Sequence, residues 1–249
     1  MAQGPAITVN LTGMTFGAAA PLFGALQFSV AAGEVVALIG PSGIGKTTLL
    51  RMIGGVERGF EGAVTVGGQP AHLAPPSGFV FQDARLLPWL DASANLRAVR
   101  PDLTGAQIAA SLARVGLAGY ERAFPRQLSG GMQRRLGLAR ALVANPGLLL
   151  LDEPFVSLDP AMVRDLRQVF HTVFQEQSPT VVLVSHDPED AAHLADRVIL
   201  LAGRPATITD TVPLGPTDPK RRLGAILAAQ RAILAAERDT GSRQQPPQF

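Results

Sequence analysis

Apolar and polar positions alternate early in the chain and then stop alternating. Ile7–Leu11 and Leu26–Val30 are apolar at every second position, the period of strands with one covered face, and Gly13, Gly17, Pro21 and Gly24 mark turns between them. Val35–Ile39, Leu148–Leu151, Val181–Val184 and Val198–Leu201 are instead short continuous apolar runs, as expected for strands buried on both faces. Ala63–Val66 and Phe79–Phe81 are further strand candidates on either side of the turn-rich stretch Gly67–Gly78. From about Leu86 to Leu128 the period changes: Ile108, Leu112 and Val115 recur at helical spacing between Pro101 and Pro125, which predicts a small helical lobe inserted in an α/β core. Gln133–Ala144, Ala161–Glu176 and Ala191–Ala195 read as helices, and Leu223–Arg238 as an amphipathic one; Gln244–Phe249 reads as a disordered tail.

Composition adjusts this picture only slightly. The 249 residues suffice for one large α/β domain or two small lobes. Cysteine is absent, which removes disulfides and thiolate chemistry and suits a reducing compartment. No leader with a basic start and apolar centre is visible, and no apolar run approaches 18 residues, so any membrane role is expected to come through partners. The pI is near 9.6, yet the formal charge is only +2. Lys220, Arg221, Arg222, Arg231, Arg238 and Arg243 against Glu237 and Asp239 give residues 220–243 a net +4, leaving −2 for the first 219. That balance argues against a nucleic-acid partner.

The richest chemistry follows the first buried run. Gly40-Pro41-Ser42-Gly43-Ile44-Gly45-Lys46-Thr47-Thr48 fits the P-loop pattern between a strand and a helix-like Leu49–Ile53. Backbone N–H groups of such a loop cradle phosphates, helped by the helix N-terminus. Lys46 would reach the β- and γ-phosphates, and the Thr47 hydroxyl would hold Mg²⁺. With 20 arginines, the chain has just two lysines, Lys46 and Lys220; a compact point charge stands where the loop needs one.

Three other strand candidates also end in polar groups. Phe79–Phe81 runs into Gln82, Leu148–Leu151 into Asp152-Glu153, and Val181–Val184 into Ser185-His186. If these strands are parallel neighbours, all four polar ends meet on one sheet edge, where doubly wound sheets bind ligands. Asp152 would hold Mg²⁺ and Glu153 would orient or deprotonate an attacking water. Leu128-Ser129-Gly130-Gly131-Met132-Gln133 opens a helix, with Ser129 as its cap and two glycines that expose N–H groups to a second anion.

In order and approximate spacing, these motifs resemble the ABC transporter ATPases from about Ile7 to Val212. The resemblance implies a P-loop NTPase core with a mostly parallel sheet, an N-terminal antiparallel β-subdomain and the inserted helical subdomain at about 86–128. It places an ATPase domain at 1–219, a basic helix at 220–243 and the tail at 244–249. By the same resemblance Walker A is Gly40–Thr47, with Thr48 following, and Walker B is Leu148–Asp152. Gln82 is the Q-loop residue and a further metal contact. Ser129, Gly130 and Gly131 belong to the signature, Ser157-Leu158-Asp159 is the D-loop, and His186 is the switch histidine. Cassettes of this family close head to tail, so that one signature, with Asp159 beside it, caps the ATP held by the other P-loop. The partners implied are a second copy or a paralogue, transmembrane permease subunits and, indirectly, a solute-binding protein, at the cytoplasmic face of the inner membrane. Phe16, which lies 24 residues before Gly40, is either the ring that stacks on adenine or a core Phe.

Phe81-Gln82-Asp83-Ala84-Arg85-Leu86-Leu87-Pro88-Trp89-Leu90, with Met132 after the signature glycines, is similar to the ATPases of nitrate, sulfonate and taurine importers. In those proteins this stretch helps form the groove for the permease's coupling helix; Trp89 belongs either to that groove or to the core of the helical lobe. The 63 residues after His186 are too few for the C-terminal regulatory domain of maltose-type importers. Val156 before the D-loop and Asp91-Ala92-Ser93 depart from the family's usual residues, at positions without a catalytic role. The alternatives are an exporter ATPase or a non-transport ABC ATPase. A GTPase would need an N-K-x-D motif, which neither lysine provides.

Overall fold

The computed structural model of the chain describes residues 3–15, 20–156, 158–216 and 218–242. Phe16, Ser157 and the 244–249 tail lie outside the described residues. Among the described residues ten strands form two sheets. Strands β1 (Ile7–Gly13), β2 (Leu26–Val30), β4 (Glu61–Val66) and β5 (Gln69–Pro70) make an antiparallel sheet in the order β2-β1-β4-β5. The second sheet contains β3 (Val35–Ile39), β6 (Gly78–Val80), β7 (Leu148–Asp152), β8 (Thr180–Ser185), β9 (Arg197–Ala202) and β10 (Thr207–Pro213), in the order β10-β9-β3-β8-β7-β6. It is parallel except for β10.

The apolar runs of the central strands split between two cores. Val35, Ala37 and Ile39 of β3, Leu149 and Leu151 of β7, and Val181 and Leu183 of β8 face one side; Val36, Leu38, Leu148, Leu150, Val182 and Val184 face the other. Helix α1 (Lys46–Ile53) fills the second side, its Leu49, Leu50, Met52 and Ile53 packed between the two sheets. The first side carries α5 (Pro160–Gln177), α6 (Pro188–Leu194) and the helical lobe: α2 (Ala92–Arg97), α3 (Gly105–Arg114) and α4 (Gly130–Val143). All three helices lie between β6 and β7 in the chain; α2 and α3 fall within the 86–128 stretch where the period changes, and α4 follows it.

Differences from the sequence reading have local causes. Strand β6 stops at Val80, one residue short, and Phe81 leaves the sheet to stack on Phe79 at 4.1 Å. Strand β10 follows the last apolar run; its sequence, Thr-Ile-Thr-Asp-Thr-Val-Pro, sits on an edge with polar positions open to water, so no apolar run announces it. The C-terminal helix α7 (Pro219–Ser242) begins earlier than its apolar pattern does. It packs by Ile226, Leu223 and Ala229, and Arg222 donates to the Ala195 and Gly215 carbonyls, closing the end of α6.

One buried amide holds the lobe to its entrance loop. Asn95 is fully buried on α2. Its Nδ2 donates to the carbonyls of Leu87, Leu90 and Asp91, and its Oδ1 accepts from the Leu87 amide at 3.0 Å and from Arg140 of α4. Substituting Asn95 with Leu would strand those backbone groups. The expected cost is about 3 kcal/mol, read as a lowered denaturation midpoint with an unchanged slope.

Candidate functional site

Helices α2 to α6 each begin with a side chain that accepts a hydrogen bond from the first turn: Asp91, Thr104, Ser129, Asp159 and Asp187. Helix α1 does not. Its cap is Gly45, which has no side-chain oxygen to offer, so the first N–H groups of this helix point outward without such a partner. Gly45 adopts φ 103°, and a Cβ there would lie 2.6 Å from the ring of the buried Phe23. Only glycine permits both the turn and the contact. An uncapped helix start with a positive dipole end is a site for an anion, and a phosphate chain fits it.

The groups predicted to converge do so. Strands β3, β8, β7 and β6 are parallel neighbours, so their carboxyl ends share one edge. A cleft of about 540 Å³ there is lined by Ser42, Gly43, Gly45–Thr48, Gln82, Glu153 and His186. Lys46, only 6% exposed, donates through Nζ to the carbonyls of Gly40 and Pro41 at 2.7 and 3.0 Å, which holds its charge over the loop. Burial lowers its pKa from the usual lysine value, although Glu153 and Asp152 pull the other way. The Thr47 hydroxyl donates to Asp152 Oδ1 at 2.9 Å, which places a hydroxyl and a carboxylate side by side at the helix start. Such hard oxygens suit Mg²⁺, which keeps several waters and takes few protein ligands. Gln82 is exposed at the cleft margin.

Glu153 leaves the end of β7 with φ 50°, a left-handed conformation rare outside glycine, while its amide still donates to the Val184 carbonyl at 2.9 Å. That turn sends the carboxylate to His186, whose Nδ1 stands 2.7 Å from Glu153 Oε2. Since an ionised carboxylate only accepts, the imidazole donates from Nδ1.

Ser129, Gly130, Gly131 and Asp159 do not line this cleft. Ser129 caps α4 by accepting from Met132 N at 3.3 Å, and Gly130 faces open space. Gly131 lies against Met162, where a Cβ would come within 2.6 Å of the thioether methyl. The Asp159 carboxylate is occupied by the amides of Ala161 and Met162. Trp89 is 70% exposed, so it is not core of the helical lobe. Sequence reasoning missed Arg167 and Asp190, whose side chains meet beside Ser185; no motif marks them.

The ABC transporter family profile matches residues 23–156. The chain belongs to the ABC transporter family. Among its relatives, the aliphatic sulfonates import ATP-binding protein SsuB 1 of Pseudomonas syringae pv. syringae is 39% identical over 213 residues, covering 85% of this chain and 87% of that protein. The SsuB of Bacillus subtilis is 36% identical, with 85% of each chain covered. Among solved structures, a dimeric ATP-binding cassette in a post-hydrolysis state with ADP and Pi superposes with a TM-score of 0.75 at 27% identity, over 85% of this chain and all of the other. ATP binding and hydrolysis coupled to transport are therefore the activity of this ABC cassette.

Burial raises the Asp152 carboxyl above its usual pKa; the Thr47 hydrogen bond opposes this and neighbouring Glu153 adds to it. A raised folded-state pKa means the folded chain holds this proton more tightly than the unfolded one, so the group weakens folding as pH rises through that value. Asp152→Asn is expected to raise the melting temperature of the nucleotide-free protein at pH 8, with the gain shrinking on acidification. ATP hydrolysis should fall about a hundredfold or more. A melting temperature lowered at every pH would contradict this account.

Proposed function

We propose that this chain is the ATP-hydrolysing subunit of an importer for small organic sulfonates, working as a head-to-tail pair beneath a membrane permease. The observation that carries the ATPase part is the uncapped start of α1, facing Asp152, Glu153 and His186 across one strand edge. The sulfonate part is supported by the names of the relatives, which cover most of the chain at nearly 40% identity.

In this reading Gly40–Thr48 and Lys46 hold the triphosphate of ATP. Thr47 and Asp152 would hold Mg²⁺, with Gln82 as a further contact at the cleft margin. When bound, Mg²⁺ would neutralise charge on the β- and γ-phosphate oxygens. Glu153 accepts a proton from the attacking water, and His186 keeps that carboxylate turned into the cleft. Ser129, Gly130, Gly131 and Asp159 do not line their own cleft and would meet the nucleotide of the second copy or paralogue. Among the described residues no helix is long and apolar enough to cross a membrane. Attachment at the cytoplasmic face of the inner membrane would then come through the permease, at the exposed Trp89 and the loop that Asn95 braces, with a solute-binding protein delivering the sulfonate.

Glu153→Gln is expected to lower kcat by about two to four orders of magnitude while ATP still binds. The ATP-bound pair should then accumulate on size-exclusion chromatography; normal turnover would refute the proton-acceptor role. For the solute, the ATPase joined to its permease should be stimulated severalfold by a binding protein loaded with an alkanesulfonate. Equal stimulation by nitrate-loaded protein would refute the sulfonate assignment.

A further inference from the structure

Ser185 is the last residue of β8 and the neighbour of His186, and it is fully buried. Its hydroxyl donates to Asp190 Oδ2 at 2.8 Å and accepts from the Asp187 amide at 3.0 Å. Asp190, on α6, is 5% exposed, and its Oδ1 accepts from Arg167 Nη2 of α5 at 2.9 Å. The Arg167 guanidinium lies 5.5 Å over the Phe155 ring and also reaches Glu189 Oε1 at 3.5 Å. A strand end and two helices are thus tied by one buried chain of polar groups.

His186 itself is open, with a side chain 54% exposed. Packing does not hold such an imidazole; besides its bond to Glu153, the backbone on either side positions it. Upstream, Ser185 is registered against Ile39 in the central sheet. Downstream, Asp187 is held through its amide by Ser185 and through its carboxylate by the Glu189 amide of α6. Of these restraints, the one on the Asp187 amide depends on the Ser185 hydroxyl, which the Asp190 carboxylate orients. A buried ion pair adds little net stability over an apolar pair of the same shape, but it fixes geometry. None of Ser185, Asp190 or Arg167 lines the phosphate cleft.

We propose that Arg167, Asp190 and Ser185 form a positioning relay that sets the His186 imidazole against Glu153, so that the hydrolysis rate depends on residues that never touch the nucleotide. This rests on the reading of Glu153 and His186 as the hydrolytic pair. The relay also runs from α5, the helix capped by Asp159, and so links the predicted D-loop to the predicted switch histidine.

The test uses the full chain at concentrations where ATP drives pairing. Ser185→Ala should lower kcat about ten- to a hundredfold, the range for partners that orient a functional ligand, with KM for ATP unchanged. In ¹⁵N-histidine spectra the His186 ring signal, assigned through His186→Gln, should move toward that of an unpaired imidazole while the His72 signal stays. Asp190→Asn keeps an acceptor for Ser185 but loses the charge that holds Arg167, and should show a smaller loss on both measurements; it serves if Ser185→Ala does not fold. Unchanged kcat, or a fall in kcat with the His186 signal unmoved, would overturn the relay. His186→Ala turning over ATP at the wild-type rate would instead overturn the underlying pair.

Discussion

The site depends on a helix start that nothing within the chain satisfies. Elsewhere the described helices close their first turn with an oxygen from Asp, Ser or Thr, and α1 leaves its N–H groups aimed at the cleft. That arrangement is unfavourable for a helix in isolation, and the burial of Leu49, Leu50, Met52 and Ile53 between two sheets offsets it. Core packing therefore fixes the orientation of the anion site, and the loop needs only to follow. The parallel order of β3, β8, β7 and β6 then brings carboxylates and an imidazole to the same edge, at distances set by strand spacing.

Glu153 and His186 show how little freedom the loops have. Each follows the end of an adjacent strand, β7 and β8, and the Glu153 amide still bonds to the Val184 carbonyl. The left-handed turn at Glu153 costs on the order of 1–3 kcal/mol and is held by the sheet on one side and the imidazole on the other. A carboxylate placed this way keeps its direction without a flexible loop to carry it.

The central strands were legible because burial on both faces leaves continuous apolar runs, as in Leu148–Leu151 and Val181–Val184. The P-loop was legible because its chemistry demands residue types at fixed spacing. Strand β10 was not, since an edge strand with water on polar positions carries neither alternation nor an apolar run. Asn95 and the Arg167–Asp190 pair were illegible for another reason. A buried polar residue matters through partners that no residue pattern announces, loop carbonyls and Arg140 for Asn95 and a residue 23 positions away for Arg167, and nothing local distinguishes it from a surface residue. The Asp159 carboxylate shows the limit of motif reading: within one chain it is a helix cap.

The near absence of lysine makes this chain a simple chemical reporter. Of its two side-chain amines, Lys220 is open to solvent, whereas Lys46 is buried at the mouth of α1 with its pKa lowered by burial. Labelling of Lys46 therefore needs the loop to open, which a bound triphosphate would suppress while leaving Lys220 untouched. Amine-reactive labelling followed by peptide mass mapping would then read nucleotide occupancy directly, with the second amine as an internal standard.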